Sequence, residues 1–78
     1  MIMTTHVYRD YVFFIHYQPE PPAYSVEFTD IPEIITSGDT LNAAFSNACE
    51  ALDLHLESLQ KLNQPLPAKK HKLTVEAA

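Results

Sequence analysis

Leu41, Phe45, Ala48, Leu52, Leu56 and Leu59 recur at intervals of 4, 3, 4, 4 and 3, the spacing that lays one apolar stripe along an α-helix. Asn42, Ser46, Glu50, Asp53, Glu57, Gln60 and Lys61 fall elsewhere on the same cylinder. Asp39 or Thr40 can cap its start by accepting an orphan amide hydrogen bond, and Asp39 also suits the positive end of the helix dipole. Pro65 and Pro67 stop it after Leu62 or Asn63, since proline has no amide donor to offer. About 22 residues, roughly 33 Å at 1.5 Å each, are thereby committed to one helix. In a chain of 78 residues that leaves material for one domain only. Cys49 is the single cysteine, so an internal disulfide or a cysteine-rich zinc site is excluded. Association with another chain is the remaining ordinary remedy for a small core.

The residues before the helix have the period of strands. Tyr11-Val12-Phe13-Phe14-Ile15-His16-Tyr17 is aromatic and β-branched on both faces, which predicts a central strand or one covered on both sides. Gln18-Pro19-Glu20-Pro21-Pro22 holds three residues without an amide donor and predicts a hairpin loop. Tyr24-Ser25-Val26-Glu27-Phe28 alternates, with one apolar and one wet face. Thr29 to Glu33 is a connector bent by Pro32, and Ile34-Ile35-Thr36 is a short third strand. Gly38, the only glycine, stands between strand and helix, where a positive φ is expected. Lys72 to Glu76 reads either as a last strand on the sheet edge or as a tail. The order is β-β-β-α, with or without a final strand, an α+β chain. Residues 1–67 form the domain, and residues 68–78 form a basic tail or short edge strand.

Charge narrows the partners. Residues 1–68 hold Arg9 and Lys61 against nine acids. A body of that sign repels phosphate and steers towards a basic partner. Lys69, Lys70 and Lys72 near the C-terminus are too few for a nucleic-acid motif. No apolar run approaches the ~20 residues of a spanning helix, and the N-terminus has no signal pattern. The chain therefore reads as soluble and cytoplasmic, without a membrane partner. Leu59 and Leu62, on the part of the helix that overhangs a short-stranded sheet, are candidate contacts of a homodimer or larger assembly.

Residues able to do chemistry have structural readings that outweigh the catalytic ones. His6, His16, His55 and His71 lie on four segments without metal-ligand spacing, so no metal is expected. Cys49 has no base within reach on its own helix: His55, six residues on, lies on another face. One glycine excludes the phosphate-cradling loops, so no nucleotide cofactor is expected. Asp30, Glu33 and Asp39 bracket the third strand, and clustered acids can hold Mg²⁺. Turn formation, solvation and capping account for them more simply.

The string Tyr24-Ser25-Val26-Glu27-Phe28-Thr29-Asp30-Ile31-Pro32-Glu33, then Ile35-Thr36-Ser37-Gly38-Asp39-Thr40-Leu41, resembles the HicB family, the antitoxin partners of HicA toxins. So does the helix with Ala43-Ala44, Asn47-Ala48 and Glu50-Ala51-Leu52, followed by Gln64-Pro65-Leu66-Pro67. Gly38-Asp39-Thr40 before the helix is the most specific part. Thr29 and Glu33 depart from the family turn, where a proline and a glycine stand. The resemblance implies a partial ribonuclease-H-like unit, a three- or four-stranded antiparallel sheet with one long helix on one face. It implies a non-enzymatic chain that neutralises a HicA-type mRNA interferase, a small basic RNase, by protein contact. Many relatives carry a C-terminal DNA-binding module; the sequence stops at Ala78 without room for one, so no direct DNA binding is expected. Asp30, Glu33 and Asp39 are the acids expected to meet the toxin. The alternative is a self-assembling domain without a toxin, and a metal-dependent nuclease related to ribonuclease H is a distant third.

Overall fold

The computed structural model describes residues 3–70. Four strands precede one helix: β1 Met3–Tyr8, β2 Tyr11–Pro19, β3 Pro22–Phe28, β4 Ile35–Gly38 and α1 Leu41–Lys61. The strands form one antiparallel sheet in the order β1-β2-β3-β4, and α1 packs on one face of it. The architecture is α+β, with β2 central as its apolar composition requires. The strand at the front of the chain, β1, has no counterpart in the sequence reading. Met3-Thr4-Thr5-His6-Val7-Tyr8 is too polar to advertise itself, and its turn to β2 is made by Arg9 and Asp10, both at positive φ (51° and 68°). Such two-residue turns usually announce themselves by Asn-Gly or Asp-Gly. The last strand expected at 72–76 lies outside the described residues.

The proline segment is also tighter than expected. Only Glu20 and Pro21 lie outside the strands, joined by a cis peptide bond, while Gln18 pairs with Ala23 and Pro19 with Pro22. At the last rung of a ladder a missing N–H costs little, so Pro19 and Pro22 can close the hairpin.

Residues facing each other across the strands share a face. Phe13 opposes Phe28, Ile15 opposes Val26, and Val26 opposes Thr36; this is the face under the helix. Tyr11, Phe13, Ile15, Val26, Phe28, Ile31, Ile34, Ala44, Ala48, Leu52 and Leu56 form the core. The buried stripe of α1 is therefore Ala44, Ala48, Leu52 and Leu56. Leu41 and Phe45, assigned to the stripe by spacing, are 38% exposed. The reason is the close approach of the helix start to β4, which admits alanine at position 44 and turns the larger side chains aside.

Gly38 supplies the other half of that approach. Its φ is not positive, which corrects the expectation of a left-handed residue. The glycine is needed because a Cβ there would meet the backbone of Ala43 and Ala44.

Both helix ends are satisfied locally. The Ala43 amide donates to the Thr40 hydroxyl at 3.0 Å, and Thr40 is the N-cap, with Asp39 one residue before it. At the other end Asn63 takes φ 55°, its amide donates to Gln60 O, and the Gln64 amide donates to Leu59 O. That left-handed C-terminal motif ends α1 before either proline is reached. Thr40→Ala is expected to cost about 1 kcal/mol and to lower the melting temperature by roughly 4–8 °C. Circular-dichroism melting checks this, and an unchanged melt would mean the cap contributes nothing.

Candidate partner-binding surface

The three acids singled out from sequence stand at the two ends of β4. Asp30 and Glu33 lie in the connector from β3, and Asp39 follows Gly38 immediately before the helix cap. The structure does not gather them into one pocket; four strand residues, about 13 Å of extended chain, lie between. Asp30 is half-buried, whereas Glu33 and Asp39 are exposed.

The connector is held rather than free. Ile31 is fully buried and Ile34 nearly so, and the Ile34 amide donates to Ile31 O at 3.1 Å. Thr29 donates to Val12 O through both its amide and its hydroxyl, each at 3.3 Å. The Glu33 carboxylate sits 3.9 Å from the His55 ring on α1. An anchored loop presents its charges in one geometry, so little ordering entropy is lost when a partner meets them.

Beside these acids stand two apolar residues that sequence reasoning did not single out. Ile35 is 90% exposed and Leu54 is 59% exposed. A shallow groove between β4 and the helix is lined by Thr36, Asn47, Glu50, Ala51 and Leu54. Signals for both were present. In Ile34-Ile35 alternation forces one side chain outward, and Leu54 lies between Leu52 and Leu56, off their stripe. The carbonyl of Ser37 is occupied by Asn47, whose Nδ2 donates to it at 2.8 Å.

The opposite end of the sheet is a region of internal pairing. Asp53 accepts from the Tyr8 hydroxyl at 3.0 Å and from Arg9 at 3.1 Å. The Tyr8 hydroxyl pKa is raised, chiefly by that hydrogen bond to Asp53 and also by burial. Tyr11 donates to Pro67 O at 2.6 Å, Lys69 lies over the Tyr11 ring and 3.9 Å from Asp10, and burial raises the Tyr11 pKa. Burial also pushes the Cys49 thiol up, with Asp53 adding to it, so this sulfur is held as the thiol, the less nucleophilic form. Among the described residues no three His, Cys, Asp or Glu side chains are grouped to hold a metal ion. At the helix end Leu59 is half-buried and Leu62 is 63% exposed. No helix among the described residues is long and apolar enough to cross a membrane.

Comparison with known proteins brings in a name for this arrangement. Residues 11–77 match the family described as "HicB_like antitoxin of bacterial toxin-antitoxin system". Over 44 residues the chain is 39% identical to the "Uncharacterized 14.9 kDa protein in rep-hol intergenic region" of Haemophilus phage HP1 (strain HP1c1). That alignment covers 56% of this chain and 33% of the phage protein, so the chain spans about a third of that relative's length. No solved structure matches the chain.

Proposed function

The chain belongs to the HicB-like antitoxin family, and on that premise we propose that it neutralises a HicA-type mRNA interferase by direct protein contact. The observation that carries the reading is the charge of the folded body. Residues 1–68 hold nine acids against two bases, and two of those acids, Asp30 and Glu33, ride on an anchored connector. Such a surface steers a basic RNase into contact and competes with its RNA substrate for the same cationic groups. Asp30, Glu33 and Asp39 are the acids we assign to this contact. The domain of this reading is residues 1–67, with residues 68–78 an appendage whose first residues rest on Tyr11 and Asp10. Self-association through the helix end, at Leu59 and Leu62, belongs to the same proposal and is supported by the exposure of Leu62.

The test begins with the small basic reading frame adjoining this one. Expressed alone it should arrest growth, and co-expression of this chain should restore it. Arrest unrelieved by the chain, or the absence of such a neighbour, overturns the reading. Reversing Asp30, Glu33 and Asp39 to lysine together is expected to slow association at low salt by roughly 10-fold or more, since such charges act mainly on the encounter rate. Stopped-flow association at two salt concentrations checks this. A rate that stays at the wild-type value would remove these acids from the contact.

A further inference from the structure

We propose that the toxin docks on the flank formed by β4 and the adjoining ridge of α1, with Ile35 and Leu54 as its apolar anchors and Glu33 and Glu50 as its acidic rim. This rests on the antitoxin reading and names its surface. Ile35 is the most exposed large apolar side chain among the described residues, at 90%, and Leu54 stands at 59%. They project on opposite sides of the β4 edge: Ile35 shares its face with Glu27, away from the helix, while Leu54 lines the groove with Thr36, Asn47, Glu50 and Ala51. Two large apolar groups in the open on one four-residue strand and its covering helix are costly in water unless something covers them.

Charge decides what covers them. Of the four described bases, Arg9, Lys61 and Lys69 are engaged elsewhere, with Asp53, Glu57 and Asp10, which leaves Lys70 against nine acids. The flank itself carries Glu33 and Glu50, with Asp39 just past the end of β4. A second copy of this chain would bring the same acids against themselves, and like charges brought face to face cost several kcal/mol. A basic partner that wraps the β4 edge brings complementary charge to the acids and an apolar surface to the anchor on each side.

The contact is made by side chains rather than by strand addition. A strand's N–H and C=O alternate from side to side, so the Ser37 carbonyl taken by Asn47 belongs to the outward-facing set of β4. With the Ser37 carbonyl taken, this four-residue edge offers outward only the Ile35 groups and the Ser37 amide, too little for a partner strand to zip onto.

The experiment titrates the adjoining small basic protein, in a variant that no longer arrests growth, with the full chain and its variants. Ile35→Asp and Leu54→Asp should each weaken binding by about 30-fold or more, the size of a central anchor. Glu50→Lys should lower the association rate and flatten its salt dependence. Val7→Asp, at an exposed apolar position on β1 at the far edge of the sheet, should bind within about 2-fold of wild type, as residues outside an interface do. All variants are compared at equal melting temperature, which exposed positions should keep. Wild-type binding that survives Ile35→Asp and Leu54→Asp overturns the proposed flank and leaves the antitoxin reading standing. Wild type that fails to bind overturns both. An equal loss from Val7→Asp would also overturn it, since the effect would then belong to added charge anywhere on the chain.

Discussion

Gly38→Ala is expected to destabilise the domain by about 3 kcal/mol or more, because a side chain forced against backbone cannot be relieved by a rotamer change. The Cβ would run into the Ala44 amide nitrogen and stand 2.7 Å from the Ala43 carbonyl carbon and 2.8 Å from the Ala44 Cα. Those atoms belong to the first turn of α1, which the Thr40 cap fixes in place. Relief requires α1 to lift from β4, and with it Ala44 and Ala48 from the core. For a domain of this size the melting temperature should fall by roughly 12–24 °C. Gly38→Asn separates this cause from the conformational one. A left-handed requirement would make asparagine the milder replacement, since it tolerates positive φ. Close approach makes alanine the milder one, because it is smaller. Thermal melting of both variants checks the order; asparagine melting above alanine, or alanine melting within about 3 °C of wild type, would remove the steric account.

Position 38 also shows where sequence reasoning stops. A lone glycine between a strand and a helix calls for attention, but its type is compatible with two different needs, a positive φ or a missing side chain. Only the placement of α1 over β4 distinguishes them. The same placement explains the rotated stripe. Spacing put Leu41 and Phe45 with Leu52 and Leu56, and apolar periodicity cannot say which of two overlapping stripes is buried when small residues lie between. Ala44 is silent in a hydrophobicity pattern, yet it is the residue that lets the helix sit close. Strand β1 was missed for a different reason. It gains its pairing from β2, opposite residues as apolar as Phe13 and Val12, so tertiary context overrides a weak local propensity.

The candidate surface was half legible. Acids are readable as charges wherever they fall, and Asp30, Glu33 and Asp39 were visible around a short strand before any fold was known. The apolar half was not, because exposure belongs to the fold. Ile35 reads as one more β-branched residue and Leu54 as one more leucine, until the sheet edge and the helix ridge leave both in water. Charge alone would have made a solvated face. Charge beside two uncovered apolar side chains makes a surface with a reason to be covered.

Phe13→Ala is the second large effect, and it bears on how firmly that surface is held. Phe13 is fully buried and lies at the centre of an aromatic cluster, 4.9 Å from Phe28, 5.7 Å from Phe45 and 5.3 Å from His6 between ring centroids. It therefore joins β1, β2, β3 and α1 at one point. Its neighbour Val12 carries the carbonyl that holds Thr29, and Phe28 ends the strand from which the connector to Glu33 departs. Truncation is expected to cost about 3–5 kcal/mol, against a total of roughly 4–12 kcal/mol for a chain of this length. At the lower end of that range the variant is unfolded at room temperature. Phe45→Ala removes a ring from the same cluster but one that is already partly in water, so its loss should be about 1–2 kcal/mol. Urea titrations with comparable slopes give both values. If Phe45→Ala costs as much as Phe13→Ala, ring contacts rather than burial hold the cluster together. If Phe13→Ala costs under about 1.5 kcal/mol, below the range for a truncated core phenylalanine, the core closes without it. The connector would then be anchored by Ile31, Ile34 and Thr29 without it.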